Sequence, residues 1–349
     1  MSLLAPPDPT MRFRLHPSRV STPLAAVAAA LLLWHPLGDR ARAAAAPAVG
    51  SFEAEHVSGA AVVSEGTLVL TGREGKTWLL SDAASLLRGG RVPAGRLRPL
   101  PREPGGQVSL AGVSDAAWDG VNALFVVTSH SRTPGGDAPP ERYRLARFRF
   151  DATGRLLAAR QSDALLRAIV QEVPFLADAI RRTPARTGLN IEGLAWDPRG
   201  ELLLGLRAPT ITESTPRPHG AQEDAVVLRL RNPDAVFGDP PADAALGDTV
   251  KLDLRGQGIR GMAWDPQLKG AWLLSGLSAE PGHPVKSPWA LWFWSGSGAP
   301  RPVKVPPGLD LEQPEAVTRL ETPEGPRLLL VDPGTPDSRF ALLPVPAPE

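Results

Sequence analysis

The amino-acid sequence predicts an all-β fold, a β-propeller of short four-stranded blades carrying one helical insert. Three observations point there. Five apolar runs align without gaps along the 349-residue chain: LVLTGR from Leu68, FVVTSH from Phe125, LLLGLR from Leu202, WLLSGL from Trp272 and LLLVDP from Leu328. Each follows a run of small and apolar residues and precedes, after a variable loop, a third extended run. Serial self-similarity with turn residues between short strands marks a repeat architecture of one sheet per unit. Finally, runs such as LLLGL and WALWFW are apolar at every position, as strands sandwiched between two neighbouring sheets must be.

In chain order, the first strands are SGAAVV from Ser58, SDAAWD from Ser114, IEGLAWD from Ile191, IRGMAWD from Ile259 and PEAVTRL from Pro314. The third strands are TWLL from Thr77, RLARFRF from Arg144, AVVLRLR from Ala225, WALWFW from Trp289 and RFALLPV from Arg339. Fourth strands close most units: RLRPL from Arg96, RLLAAR from Arg155, VKLDL from Val250 and RPVKV from Arg301. The last unit has no fourth strand of its own, whereas residues 49–54 (VGSFEA) precede the first unit and belong to none. These residues are expected to pair with the last blade, which would close the ring and cover an exposed strand edge. Five blades are countable and a sixth, degenerate one would also fit the pattern. A two-sheet sandwich is the competing fold, but five units in series suit a propeller better.

The recurring Trp-Asp is turn chemistry. Asp197-Pro198-Arg199-Gly200 has Asp, Pro and Gly where a type I turn wants them, and Asp265-Pro266 begins another. Trp196 and Trp264 are expected to pack between blades. One block departs from the β pattern. Residues 161–187 open with QSDALLRAIVQEVPFLADAIRR, placing Leu165, Ile169, Val173, Leu176 and Ile180 at helical spacing. Asp163 suits an N-cap, and Pro174 should divide the block into two short helices. Its apolar stripe is a docking face against the propeller, or, on the sharper reading, a partner-binding face.

The N-terminus reads as a signal peptide over residues 1–43, with Met11 an alternative start. Arg12, Arg14 and Arg19 lead into the apolar run 24–34, and Ala41-Arg42-Ala43 fits a small-residue cleavage site. The run is too short for the roughly 20 residues that span a bilayer. The remainder, 44–349, is expected to be one propeller domain, exported to the periplasm or beyond the cell, with no membrane attachment after cleavage. Removing residues 1–43, with five Lys/Arg and two Asp/Glu, leaves 33 bases and 35 acids, a net charge of −2. No strong field favours nucleic acid. With no Cys, the chain has neither disulfides nor thiol chemistry.

Strand direction locates the candidate residues. Consecutive strands of a blade are antiparallel, so the start of the first strand lies beside the end of the second. Glu192, Arg260 and Glu315 stand near the starts of three first strands, and Arg73, His130 and Arg207 at the ends of three second strands. All six are expected to ring one mouth of the channel, beside the long loops 131–141, 208–224 and 278–287 and the helical insert. Loops on a rigid scaffold are where binding usually resides. Arg73, Arg132, Arg207 and Arg260 could receive an anionic group, with Glu315 among them. Glu192 or His130 could act as a base, and Glu192 with Glu315 could hold a metal, for which calcium is suited. The plainer alternative is a set of ion pairs such as Glu192 with Arg207 or Arg260. His56, His219 and His283 fall in loops or strand approaches and are expected to be solvated. No cofactor motif is present: the sequence lacks a Gly-x-Ser-x-Gly elbow, a His-Glu-x-x-His pair, a Walker loop and an EF-hand loop.

Ser-His-Ser-Arg at 129–132, Asn-Ile-Glu-Gly-Leu at 190–194, Gly-Leu-Arg-Ala-Pro at 205–209 and Gly-Ile-Arg-Gly-Met at 258–262 occur in that order. With them the chain resembles, over roughly residues 49–344, the exported bacterial proteins catalogued as domain of unknown function 3616. The middle segment carries the likeness, and the first and last units match loosely. In the second unit SDAAWD departs from the acid-Gly pairing of IEGLAWD, so no role passes to Asp115. The resemblance implies a propeller-like fold and an exported setting, and no activity. Three functions remain. The first is binding of a small polar or anionic molecule, or of a protein partner, at the mouth. The second is hydrolysis of phosphate esters, carboxylic esters or lactones, by analogy of fold with other exported propellers. The third is a non-catalytic interaction scaffold.

Overall fold

In the computed structural model, the chain divides into residues 1–43 and 44–349. The structure describes residues 46–64, 66–100, 108–184, 187–212, 223–277, 289–309 and 311–346, all in the second unit. The signal-peptide reading and the loops 213–222 and 278–288, with His219 and His283, lie outside the described residues.

The described chain is a five-bladed β-propeller. Blade 1 runs outward from Val57–Ser64 through Thr67–Gly72 and Thr77–Leu80 to Arg98–Pro99. Blade 2 comprises Val113–Trp118, Ala123–Thr128, Leu145–Phe150 and Leu156–Ser162. Blade 3 comprises Asn190–Asp197, Glu201–Thr212, Glu223–Leu230 and Val250–Leu252. Blade 4 comprises Gly258–Asp265, Gly270–Gly276, Ala290–Trp294 and Arg301–Val303. In blade 5, Ala316–Leu320, Arg327–Asp332 and Ser338–Pro344 are completed by Ala48–Phe52, antiparallel to the last of them, with Ala48 opposite Leu342. Gly90–Val92 adds a fifth strand, parallel to Ala48–Phe52.

Five seams hold the ring, each with its own apolar core. Second strands feed two seams at once because alternate side chains leave a strand on opposite faces. In blade 2, Phe125 and Val127 pack towards blade 3, while Leu124 and Val126 pack towards blade 1. In blade 4, Ala271 and Leu273 serve the seam with blade 3, and Trp272 and Leu274 the seam with blade 5. The seam between blades 5 and 1 is built from Leu329, Val331 and Phe340 against Leu68, Leu70 and Phe52. Apolarity at every position of these runs is thus explained: neither face of a second strand such as Ala123–Thr128 or Gly270–Gly276 meets water.

The insert forms two helices, α1 (Ala164–Glu172) and α2 (Pro174–Ala179), with Pro174 opening the second. Leu165, Ile169, Val173 and Leu176 are buried in the core of the seam between blades 2 and 3, with Ile180 partly buried against it. The stripe is therefore a docking face. Asp163 stands at the N-cap position without capping; the Ser162 hydroxyl accepts from the Ala164 N–H at 3.1 Å instead, and Asp163 pairs with Arg167.

Candidate functional site

The inner strands present equivalent positions to the axis, one ring above another. The outermost ring is Ser58, Ser114, Glu192, Arg260 and Glu315. In blades 1 to 4 this residue is skipped in the register with the second strand, a β-bulge that re-aims its side chain. All five residues are buried.

Arg73, at the end of the second strand of blade 1, donates to both carboxylate oxygens of Glu315 at 2.5 and 2.6 Å. Arg260 donates to the same carboxylate from the other side. In blade 3, Arg207 donates to Glu192 Oε1 at 2.7 Å, and the Asn190 amide reaches that oxygen at 3.0 Å. The second oxygen, Glu192 Oε2, is buried without a hydrogen bond. Burial would push the Glu315 carboxyl up, but Arg73, Arg260 and Arg207 together hold it down at about 2. Glu315, then Glu192, in turn raise the Arg73 guanidinium despite its burial. Three guanidiniums and two carboxylates thus form one electrostatic unit, graded in depth: the side chain of Arg260 is 4% exposed and that of Arg73 is 46% exposed.

Arg142 joins this end from the loop after the second strand of blade 2, a residue that strand-end counting does not single out. Its guanidinium donates to the Ser131 carbonyl at 2.8 Å and to the Ser129 and Ser131 hydroxyls at 2.9 and 2.8 Å. Burial and then the charge of Arg73 lower its affinity for the proton. It has no carboxylate partner among the described residues. In this cluster, among the described residues, four arginines therefore stand with two glutamates.

Two of the expected residues are not in this cluster. His130 is fully buried with φ +51°, its Nδ1 at 2.9 Å from the Thr128 carbonyl and its ring edge-on to Tyr143. That carbonyl fixes the proton on Nδ1, while burial, aided by Arg144, lowers the imidazole to about 4. The left-handed turn after Thr128 tucks the ring under the loop rather than into the mouth. Arg132 donates to the Gly136 carbonyl at 2.7 Å and so ties its own loop. The pairing of Glu192 and Glu315 with arginines also leaves them poorly suited to a metal, since a cation between them would face three guanidiniums. Among the described residues no group of three His, Asp or Glu has metal-binding geometry. His56, in the loop before blade 1, has its Nε2 3.1 Å from the Thr335 hydroxyl.

The next ring inward is Gly59, Asp115, Gly193, Gly261 and Ala316. Side chains are absent or minimal because the strands converge: a Cβ on Gly261 would stand 2.1 Å from the Glu315 carbonyl, and one on Gly59 would stand 2.7 Å from the Asp115 Cα. The exception, Asp115, fills the axis. Its Oδ1 accepts from Ala116 at 2.9 Å, its Oδ2 accepts from Leu194 at 2.9 Å and Met262 at 3.2 Å, and Ala60 contributes a further backbone N–H. Four blades are thereby tied to one carboxylate, which total burial pushes well up against the opposing pull of these donors.

Beyond that ring the axis opens into a cavity of about 550 Å³ at the opposite end. Its floor is alanine, including Ala60, Ala116, Ala195 and Ala263, and its wall carries Trp118, Trp196 and Trp264 from three consecutive blades. Trp196 and Trp264 pack against the seams as expected, Trp196 stacking on Phe125 at 5.3 Å, and both also line this cavity. The aspartates of the Trp-Asp pairs do perform turn chemistry. Asp197 accepts from Arg199 N–H and its carbonyl from Gly200 N–H, and Asp265 accepts from the Gln267 and Leu268 N–H groups.

No protein-family model matches the chain, and no curated protein does. Solved structures do. A GH43 β-1,3-galactosidase with galactodeoxynojirimycin is similar at 12% identity and a TM-score of 0.43, over 84% of this chain and 91% of that one. An auxiliary nutrient binding protein from Bacteroides ovatus is similar at 11% identity and a TM-score of 0.33, over 76% of this chain and 50% of that one. The β-propeller domain of Cps50 (Swd1) from Myceliophteria thermophila is similar at 10% identity and a TM-score of 0.36, over 84% and 98%. At these values the likeness concerns the backbone of a propeller and nothing of its chemistry.

Proposed function

We propose that the protein is an exported, non-catalytic binding propeller that takes a small acid-bearing polar molecule at the arginine-rich mouth. The charge surplus carries this reading. Arg73 and Arg142 combine a half-exposed guanidinium with one whose partners among the described residues are neutral oxygens, which is the provision an incoming carboxylate or phosphate group needs. Export rests on the N-terminal charge, apolar run and cleavage-site pattern, and the likeness to domain of unknown function 3616 on the segments quoted above.

Hydrolysis has less support. Glu192, the candidate carboxylate base, is held by Arg207 and Asn190, and His130 is buried with its ring enclosed. Calorimetric titration with gluconate, inorganic phosphate and uncharged sorbitol tests the proposal. The acids should bind saturably and sorbitol should not. Arg73→Ala and Arg142→Ala should each weaken the acids about tenfold, the loss of one charge-assisted hydrogen bond. Absence of saturable acid binding by folded protein, or unchanged affinity in the double variant, would overturn it.

A further inference from the structure

The cavity at the opposite end is independent of the arginine mouth, because the Asp115 ring lies between them. We propose that this cavity is a second ligand site, selective for a small aromatic or alkyl cation such as a quaternary ammonium compound. Its volume of about 550 Å³ suits a molecule of that size. Trp118, Trp196 and Trp264 stand at the same position of three consecutive inner strands, so the wall is aromatic across blades 2, 3 and 4. All three are partly exposed, although each packs on something: Trp118 on Phe150, Trp196 on Phe125, and Trp264 beside Gly296. The alanine floor offers a ligand no side-chain hydrogen bond.

The charged residues lining the cavity set the sign of the ligand. Among the described residues they are Asp119, Glu321 and Arg319. Arg319 is already taken up, donating to Glu321 at 2.7 Å and to the buried Asp265 at 3.1 Å. Asp119 uses Oδ1 to accept the N–H groups of Val121, Asn122 and Ala123, and no arginine or lysine pairs with it among the described residues. Indole faces attract cations through the ring quadrupole, and the carboxylates at the rim reinforce that attraction. An anion meets the carboxylates of Asp119 and Glu321, and the charge of Arg319 is already balanced by Glu321 and Asp265.

Three probes that share one ring test this: benzyltrimethylammonium, benzyl alcohol and benzoate, each followed by quenching of intrinsic tryptophan fluorescence in the full-length protein. The cation should quench saturably and bind at least tenfold more tightly than benzoate, with benzyl alcohol between them. Ala263→Phe, which fills the cavity from its floor, should abolish cation binding while leaving the circular dichroism spectrum unchanged. Should that variant fail to fold, the Asp119→Asn, Glu321→Gln double variant carries the test, since the side-chain amide introduced at the turn retains a capping oxygen. It should weaken the cation about tenfold and leave benzyl alcohol unchanged. Absence of saturable cation binding, benzoate binding as tight as the cation, or wild-type cation affinity in either folded variant would each overturn the proposal.

Discussion

The two ends of the propeller axis are written on the same five strands, four residues apart. At one end those strands present Ser58, Ser114, Glu192, Arg260 and Glu315; at the other they present Val62, Trp118, Trp196, Trp264 and Arg319. A separation of four residues of extended chain places the two sets about 13 Å apart along each strand. One end is a mutually paired charge network, and the other is an aromatic vestibule. The contrast shows that inner strands specify the two ends separately, because the ring between them is closed by backbone and by the one carboxylate of Asp115.

Asp115 is therefore where the separation should be easiest to break. Asp115→Ala removes the acceptor for four backbone N–H groups and leaves a void on the axis, and should destabilise the fold by on the order of 5 kcal/mol in urea unfolding. Both ends should suffer, seen as lost binding of acid and cation alike. A change under about 1 kcal/mol would mean that the donors find other partners.

Glu315→Ala should affect one end. It strands the buried Arg260 guanidinium, a loss of about 3 kcal/mol, while binding of benzyltrimethylammonium at the far end stays at the wild-type value. The same residue gives a pH signature. Its folded pKa of about 2 lies below the ordinary 4.5, so its contribution is complete above about pH 4.5 and is lost as the pH falls towards 2. Wild-type stability should fall across that window, and the fall should be shallower in Glu315→Ala.

His130 acts in a higher window. Its folded pKa of about 4 lies below the ordinary 6.5, so acidification from pH 6.5 to 4 favours the unfolded chain, in which the imidazole can take its proton. Asn tolerates the positive φ there, so His130→Asn should remain folded and flatten that part of the profile. The smallest effect is expected away from both ends. Asp163→Ala should change stability by no more than about 0.5 kcal/mol, because the Ser162 hydroxyl and not Asp163 caps α1.

Much of this is readable in the sequence, and the reasons the reading stops are physical. The blades can be counted because each seam demands the same alternation, and repeats of FVV, LLL and WLL record it. Strand polarity brings Glu192 to Arg207 and places Arg73, Arg260 and Glu315 in one cluster. It fails for His130 because a single left-handed residue redirects a side chain, and no neighbour in FVVTSHSR announces that turn. Asp115 carries a signal that strand polarity does not use. It is the one charged residue at a position where the other blades have Gly or Ala, which marks a carboxylate placed where strands converge. The tryptophans are a different case: Trp196 can fill a seam with one face and wall a cavity with its remaining surface, and composition cannot tell which. Gly90–Val92, a three-residue strand held by parallel pairing, has no pattern of its own.

The pairing of Ala48–Phe52 with Ser338–Pro344 bears on the order of assembly during synthesis. Among the described strands the first waits for the last, held meanwhile by no antiparallel neighbour, while blades 1 to 4 can each form from contiguous sequence. Closing so long a loop is entropically the slowest step of such a topology. The seam between blades 5 and 1 is consequently the natural place for a newly made chain to remain open, and truncating the chain before Ser338 should yield an unclosed, protease-sensitive ring with four blades intact.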